Sequence, residues 1–189
     1  GLLNYSALAY RELYDLAEAR SRSEQALELS ADETFGMPRQ FAGSDLLATQ
    51  LLAGDVGGAQ TAWPSLWEGA EDATAWTTWL IVGRLLCARA EIALHAEDPQ
   101  AAADWAARSI AMARRTKRRK YEARSLTLLG QALARNGRRD QAFEALLSAV
   151  EIADDLGGGP ARWPARGAVG ETPYARGDGN AAAVANEEA

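Results

Sequence analysis

Apolar residues along the chain recur at steps of three and four positions and not at steps of two. In segments such as YRELYDLAEARSRSEQALELS and YEARSLTLLGQALARNGRRDQAFEALLSAVEIADDL, this spacing predicts amphipathic α-helices. The same segments are rich in Ala, Leu, Glu, Arg and Gln, which favour the helix. Because no run of Val, Ile or Thr bounded by turn residues indicates a strand, the pattern predicts an all-α fold.

The helical pattern repeats at an interval of about 40 residues. Five alanines, which we call the anchor alanines, occupy equivalent positions that lie 40, 43, 40 and 40 residues apart. The anchor alanines are Ala19, Ala59, Ala102, Ala142 and Ala182. A residue that is small in four of five cases lies twelve positions before each anchor, and glycine lies five positions before it in three of five.

This spacing predicts a unit of two antiparallel helices joined by a turn. The small residue on the first helix and the anchor alanine on the second let the two backbones approach closely. A glycine with positive φ closes the first helix, and an Asp, Asn or Gly begins the second. Because one pair cannot bury its apolar face alone, neighbouring pairs must stack.

These residues resemble the tetratricopeptide repeat (TPR) family. The first unit offers Leu3, Ser6, Ala7, Tyr10 and Ala19; the fourth offers Leu126, Leu129, Gly130, Leu133 and Ala142; the fifth offers Val169, Gly170 and Ala182. The period near 40 departs from the usual 34 of the family, and longer helices would account for it. With its long repeat period, the chain is similar to the C-terminal helical arrays of bacterial signalling ATPases, transcription regulators and adenylate cyclases.

The resemblance implies a right-handed α-solenoid of stacked antiparallel helix pairs, with about 4.5 to 5 repeats. We expect one array over residues 1–189, with repeats at 1–33, 34–74, 75–116, 117–157 and 158–189. Pro173 falls inside the expected first helix of the last repeat, so we expect that repeat to be frayed, bent or rebuilt.

Composition narrows the class of protein. With 48% hydrophobic residues the chain is not disordered, and its single cysteine, Cys87, allows no internal disulfide, which fits a reducing compartment. No apolar run approaches the roughly 20 residues of a membrane span, and the first residues do not resemble a secretory signal. We therefore expect a cytoplasmic segment of a longer protein, without membrane contact, and the resemblance implies that this protein is bacterial.

No motif indicates catalysis. The phosphate loop, HExxH, GxSxG and paired CxxC are absent. The chain has a single histidine, His95, whereas metal sites and catalytic triads need several convergent ligands or partners. His95 is expected to face a helix dipole or to be packed. Cys87 is expected to behave as a small buried apolar residue, with a reactive thiol as the alternative. The expectation is a segment that is not an enzyme and binds no cofactor or metal.

In the TPR family the first helix of each pair lines a concave groove that holds the ligand. Carried over by spacing, the resemblance implies the groove residues Asn4, Ser44, Arg84, Cys87, Glu91, Arg124, Thr127 and Gln131. The guanidinium groups of Arg84 and Arg124 could hold a carboxylate of an extended peptide. The alternative is ion pairing inside the chain, of Arg84 with Glu91 on the same helix or of Arg124 with a neighbour.

A run of basic residues allows three interpretations. The basic run Arg114, Arg115, Lys117, Arg118, Arg119 and Lys120 is a solvated helix end with its linker, a contact for an acidic protein, or a contact for nucleic acid. Nucleic acid is disfavoured because the chain has a net charge of -6.

Four tryptophans, Trp63, Trp67, Trp76 and Trp79, lie close together in the sequence. They are expected in a core between the second and third units, or as an exposed anchor for a partner. Pro64, between the first two, predicts that the helix restarts there.

The favoured functional hypothesis is a protein-interaction or scaffold module of a larger signalling or regulatory protein, which binds a protein or peptide partner in the groove. The alternative is a domain that senses a small molecule and regulates an attached enzyme or DNA-binding domain. A third hypothesis is self-association through the terminal repeats, whose apolar faces lack a neighbour.

Overall fold

The computed structural model describes residues 2–31, 37–71, 78–157 and 159–171. These ranges contain nine α-helices and no β-strand, which confirms the predicted all-α fold class. The helices are α1 (Leu2–Glu12), α2 (Leu16–Leu29), α3 (Met37–Leu52), α4 (Val56–Glu71), α5 (Thr78–His95), α6 (Pro99–Arg115), α7 (Arg119–Arg135), α8 (Arg139–Asp155) and α9 (Gly159–Glu171). None of the helices in these ranges has both the length and the apolar character needed to cross a membrane.

The helices follow one another in pairs. We call α1, α3, α5, α7 and α9 the opening helices and α2, α4, α6 and α8 the closing helices. Four anchor alanines, Ala19, Ala59, Ala102 and Ala142, lie in the four closing helices, and each is 0% exposed. Ala182 lies outside the described residues. The anchor alanines therefore occupy equivalent buried sites in the four described pairs.

A left-handed residue ends each of the first four opening helices. The φ angles are 60° at Tyr14, 78° at Gly54, 57° at Glu97 and 74° at Gly137. In the third pair the N–H of Asp98 donates to the carbonyl oxygen of Ala93 at 3.0 Å, the long hydrogen bond of a Schellman motif. The sequence predicted this turn where glycine occurs, but Tyr14 and Glu97 adopt the same φ without glycine.

Aspartates begin three of the closing helices, as predicted. The Oδ1 atoms of Asp15, Asp55 and Asp98 accept the backbone N–H three residues later at 3.2, 2.9 and 3.0 Å. These bonds satisfy one of the N–H groups that a helix start leaves without a partner. The helix α8 begins after Arg138, which makes no capping side-chain hydrogen bond.

Close approach of the two helices in a pair is clearest at Gly130. A Cβ atom added there would lie 2.5 Å from Cγ of Leu146 and 3.1 Å from the backbone oxygen of Ala142, the anchor of the same pair. The equivalent Ala7 and Ala90 are 1% and 0% exposed. Gly170, twelve residues before the fifth anchor, is exposed, so the fifth unit departs from the pattern.

The chain divides into two compact units, residues 1–88 and 89–189. In unit 1, Trp63 and Trp67 stack with ring centroids 5.2 Å apart and pack against the buried Ile81 and Leu85. The indole N–H of Trp63 donates to the carbonyl oxygen of Leu85 at 2.9 Å. The predicted core position of these two tryptophans is confirmed, while Trp76 lies outside the described residues.

The predicted restart of the helix at Pro64 is wrong, because α4 continues through this residue. Proline removes one backbone donor, and the carbonyl left without it belongs to Gln60. Both Gln60 and Pro64 are exposed, so water can hydrate that carbonyl. The rings of Trp63 and Trp67, on either side of Pro64, stack on one another along this continuous helix.

In unit 2 the core lies where closing helices meet opening helices. The buried residues of its main cluster are Ile110, Ala123, Leu126, Ala149, Ile152 and Ala165. The last helix, α9, contains Pro164, which is exposed, and packs Ala168 and Val169 against Leu146. Pro173, on which the expected fraying of the fifth repeat depended, lies outside the described residues. The expectation of one array over the whole chain stays a prediction.

Candidate functional site

Three charged residues of unit 1, two of them buried and one half-buried, come from three consecutive opening helices. Oδ1 of Asp45 on α3 accepts from Nη1 of Arg11 on α1 at 2.9 Å and from Nη1 of Arg84 on α5 at 2.7 Å. The side chains of Arg11, Asp45 and Arg84 are 8%, 3% and 16% exposed. We call these residues the arginine–aspartate cluster. Two guanidinium groups share one carboxylate, so the cluster carries one excess positive charge.

This cluster corrects the expected pairing of Arg84. The sequence offered Glu91 as its partner, but Arg84 pairs with Asp45, 39 residues earlier in the chain. The carboxylate of Asp45 is almost fully buried, and such a group is stable only where hydrogen bonds and opposite charge compensate for its lost hydration. The two guanidinium groups supply that compensation.

The surroundings of Arg84 mix polar and aromatic groups. Its guanidinium carbon lies 5.2 Å from the ring centroid of Phe41, within the range of a cation–π contact. Oγ of Ser44 lies 3.5 Å from Nη1 of Arg84 and donates to the carbonyl oxygen of Phe41 at 2.9 Å. Nε of Arg84 is buried and makes no hydrogen bond within the described residues.

Asn4 also lies in unit 1, on α1. Its Nδ2 donates to the carbonyl oxygen of Pro38 at 3.2 Å, while its Oδ1 is buried without a hydrogen-bond partner among the described residues. Cys87, one turn after Arg84 on α5, is buried at 2% exposure, as the sequence predicted. Unit 1 therefore holds Asn4, Ser44, Arg84 and Cys87 of the predicted groove residues.

The other predicted groove residues lie in unit 2. Nη2 of Arg124 donates to Oε2 of Glu91 at 2.7 Å, and the two side chains are 37% and 17% exposed. This is the pairing with a neighbour that the sequence left open for Arg124. The hydroxyl of Thr127 donates to the carbonyl oxygen of Ala123 at 3.1 Å, and Gln131 is half-buried. The Arg124–Glu91 pair carries no excess charge, unlike the arginine–aspartate cluster.

The basic run lies at the end of α6 and the start of α7, on either side of a turn at Lys117 with φ 55°. Nε of Arg114 donates to Oε1 of Glu122 at 2.8 Å, and Nη2 of Arg119 donates to Oδ2 of Asp155 at 3.0 Å. Carboxylates therefore neutralise part of the run from within the chain. This placement matches the solvated helix end and linker that the sequence offered as its simplest interpretation.

Groups that could bind a metal ion do not converge in the described part of the chain. His95 is exposed and is the last residue of α5, where a cation would face the helix dipole. Among the described residues no group of three or more His, Cys, Asp or Glu could hold a metal ion. An open cleft of about 370 Å³ in unit 2 lies beside Leu129, Leu133 and Ala145, and none of the predicted groove residues lines it.

Sequence reasoning missed Arg11 and Asp45. Asp45 lies 14 residues before its anchor, where the other units carry Tyr5, Ala88, Leu128 and Ala168. A lone acid at a position that is otherwise apolar is a signal for a buried ion pair, because a buried charge requires a partner. This pattern in the sequence could have indicated that Asp45 is buried and paired. It does not indicate that Arg11 is one of its partners.

Comparison with known proteins agrees with this arrangement of helices. A crystal structure from Podosopora anserina, described as a kinesin light chain with nearly identical TPR-like repeats, is similar to the chain with a TM-score of 0.63. The likeness covers 98% of this chain and 90% of that chain. The chain has a TPR-like helical repeat fold.

The likeness concerns the fold, since only 18% of the aligned residues are identical. No family model matches the sequence, and no curated protein matches it either. TPR-like folds are helical repeats whose stacked units present extended surfaces to partners. A function for this TPR-like chain therefore has to be argued from its own residues.

Proposed function

We propose that the chain is a protein-interaction module and that unit 1 binds a partner segment through a carboxylate group. The observation that carries this proposal is the excess positive charge of the arginine–aspartate cluster, in which one carboxylate serves two guanidinium groups. A carboxylate is the ligand that balances the charge, and the planar guanidinium can hold it with two parallel hydrogen bonds.

Within the cluster Arg84 is the residue that a ligand would reach. Its side chain is 16% exposed, about twice the exposed fraction of Arg11. Nε of Arg84 and Oδ1 of Asn4 are buried polar atoms without partners in the described residues, and such atoms cost about 1–3 kcal/mol each. A bound segment that supplied the missing hydrogen bonds would recover part of that free energy.

An extended peptide suits this chemistry better than a single small molecule. Its backbone offers the N–H donor that Oδ1 of Asn4 lacks, and an acidic side chain or C-terminal carboxylate reaches Arg84. The aromatic ring of Phe41 beside Arg84 adds an apolar surface for a neighbouring side chain. We place the module in a larger cytoplasmic signalling or regulatory protein, in which it acts by binding and not by catalysis.

Fluorescence anisotropy with labelled acidic peptides tests this proposal. Peptides with a free C-terminal carboxylate and several acids are compared with amidated, neutral twins at rising salt. We expect the acidic peptides to bind more tightly, and the binding to weaken with salt because the contact is between charges. Arg84→Gln is expected to weaken binding by about tenfold, since it removes one charge-assisted contact.

Arg124→Gln is the matched control, because Arg124 belongs to a neutral pair in unit 2. Arg84→Lys keeps the positive charge but loses the planar guanidinium group with its two parallel donors. Circular dichroism verifies that each variant is folded. Absence of binding by any acidic peptide contradicts the proposal, as does equal binding by wild type and Arg84→Gln. A small molecule that raises the melting temperature when no peptide binds would favour the ligand-sensing alternative.

A further inference from the structure

An open cleft of about 370 Å³ is formed by α6, α7 and α8 in unit 2, and we call it the unit 2 cleft. Its apolar lining includes Leu129 and Leu133 of α7 and Ala145 of α8. Leu133 and Ala145 are 6% and 9% exposed, and Leu129 is half-buried. The volume lies within the range of about 300–1,000 Å³ that is usual for ligand sites, so the cleft has room for one long side chain.

Two carboxylates line the unit 2 cleft, one from each of its closing helices. Asp104 on α6 and Glu144 on α8 are both exposed, and both lie two residues after the anchor alanine of their helix. The equivalent residues in α2 and α4 are Ser21 and Thr61, which carry no charge. The acidic residues at this position are therefore a feature of unit 2 and not of the repeat.

The two carboxylates are not neutralised within the described part of the chain. Oδ1 of Asp104 accepts from the amide Nε2 of Gln100 at 3.2 Å, and Glu144 makes no side-chain hydrogen bond or ion pair with a described residue. Arg138 is the one cation among the described residues that line the cleft, and its Nε donates to Oε1 of Gln141. Two carboxylates and one guanidinium group leave the cleft with one excess negative charge.

We infer that the unit 2 cleft binds a lysine side chain of a partner polypeptide. The aliphatic stem of the lysine lies on the apolar lining at Leu129 and Leu133, while its ammonium group donates hydrogen bonds to Asp104 and Glu144. An ammonium group has three donors around one point charge and can serve carboxylates on two helices, whereas the planar guanidinium of arginine matches a single carboxylate. Its one positive charge balances the excess charge of the cleft. This inference does not depend on the proposed carboxylate site of unit 1.

The surface next to the cleft favours a polypeptide over a free amine. Ala107 and Leu147 lie one turn after Asp104 and Glu144 on the same helices, and both are exposed, Leu147 at 47%. Side chains that flank the lysine in a polypeptide can cover these apolar groups and remove them from water. A small amine offers no such flanking groups.

The chain itself offers little that could fill the cleft. The parts of residues 1–189 outside the described ranges carry one basic residue, Arg176, and no lysine. The same parts carry acidic residues, which an acidic cleft repels, namely Asp32, Glu33, Asp72, Asp178, Glu187 and Glu188. A basic segment of a partner therefore matches the charge of the cleft better than these parts of the chain do.

A titration followed by NMR tests the inference. The probe is a capped peptide with one lysine between two leucines, added to ¹⁵N-labelled protein. We expect saturable shifts of the backbone amide signals of residues that line the cleft, namely Ala103, Asp104, Leu133, Glu144 and Ala145. A twin peptide with norleucine keeps the aliphatic stem without the charge, and a twin with diaminopropionic acid keeps the charge on a shorter stem. Each twin is expected to bind more weakly by about threefold or more.

Variants of the two carboxylates locate the contact. Glu144→Gln is expected to weaken binding of the lysine peptide by about threefold, because one exposed ion pair is lost. The double variant Asp104→Asn with Glu144→Gln is expected to lose about tenfold. The matched control is Glu151→Gln, since Glu151 is exposed on the same helix, two turns after Glu144, and does not line the cleft. Its affinity should equal that of wild type.

Absence of saturable shifts at the cleft overturns the inference, and so does equal binding by the lysine and norleucine peptides. An equal loss of affinity from Glu144→Gln and Glu151→Gln overturns it too. If n-butylamine binds as tightly as the lysine peptide, the cleft is a site for a free amine. If Arg176→Gln binds the peptide more tightly than wild type, the cleft belongs to the chain's own residues. Self-association in sedimentation that Glu144→Gln abolishes assigns the cleft to a second copy. Each of these three assignments contradicts a partner polypeptide.

Discussion

Single residues set how closely two helices of a pair can approach. Gly130 has no side chain, and a methyl group there would meet Leu146 at 2.5 Å as well as the backbone of Ala142 at 3.1 Å. A side chain can change rotamer to relieve such a contact, but the backbone of a packed helix cannot move without disturbing its neighbours. The small residue at this position was predicted from the repeat, because its spacing from the anchor alanine is constant.

Substitution of Gly130 by alanine tests this close approach. We expect Gly130→Ala to lower the free energy of unfolding by about 1–3 kcal/mol, because overpacking outweighs the gain in helix propensity. The matched control is Gly167→Ala in α9, where the added methyl group meets no described atom within 4 Å. That variant should be neutral or more stable, by up to about 1 kcal/mol. Urea unfolding of both variants makes the measurement, and equal changes would argue against the close contact.

At the scale of the helix, unit 1 depends on a contact that the repeat pattern does not encode. Periodicity predicts which faces of α1, α3 and α5 are buried, and it places Arg84 on a helix that packs. It does not predict that Arg11 and Arg84 meet at Asp45, since the three residues are 34 and 39 positions apart. Ion-pair partners at such separations are fixed by how helices stack, and one sequence does not contain that information.

Removal of the shared carboxylate tests the arginine–aspartate cluster as a structural element. We expect Asp45→Asn to lower the free energy of unfolding by about 3–5 kcal/mol, because two guanidinium groups then stay buried without a counter-charge. Asp155→Asn is the surface control, since Arg119 and Asp155 are 48% and 65% exposed. Its effect should stay within about 1 kcal/mol. A similar small loss for Asp45→Asn in urea unfolding would mean that Asp45 is hydrated or unpaired.

Across the whole molecule, the fold was more predictable than the site. The regular spacing of the anchor alanines predicted the helix pairs and the turns within them. Both features depend on local sequence, and both recur in four described pairs. Pro64 shows the limit of local reasoning, since α4 continues through it despite the expected helix break. The predicted groove residues fall into two compact units, and only those of unit 1 include a cluster with excess charge. Which of the two groups of predicted residues forms a charged cluster follows from the packing of the helices and not from the sequence.

Urea unfolding of anchor-alanine variants tests the central claim, that helix pairs stack through alanines in equivalent buried sites. Ala19, Ala59, Ala102 and Ala142 are each replaced by leucine, and Ala107→Leu, at an exposed position of α6, is the control. The account predicts that each anchor variant loses about 1–3 kcal/mol or more of the free energy of unfolding, and that Ala107→Leu stays within about 0.5 kcal/mol of wild type. Anchor variants as stable as Ala107→Leu would contradict it.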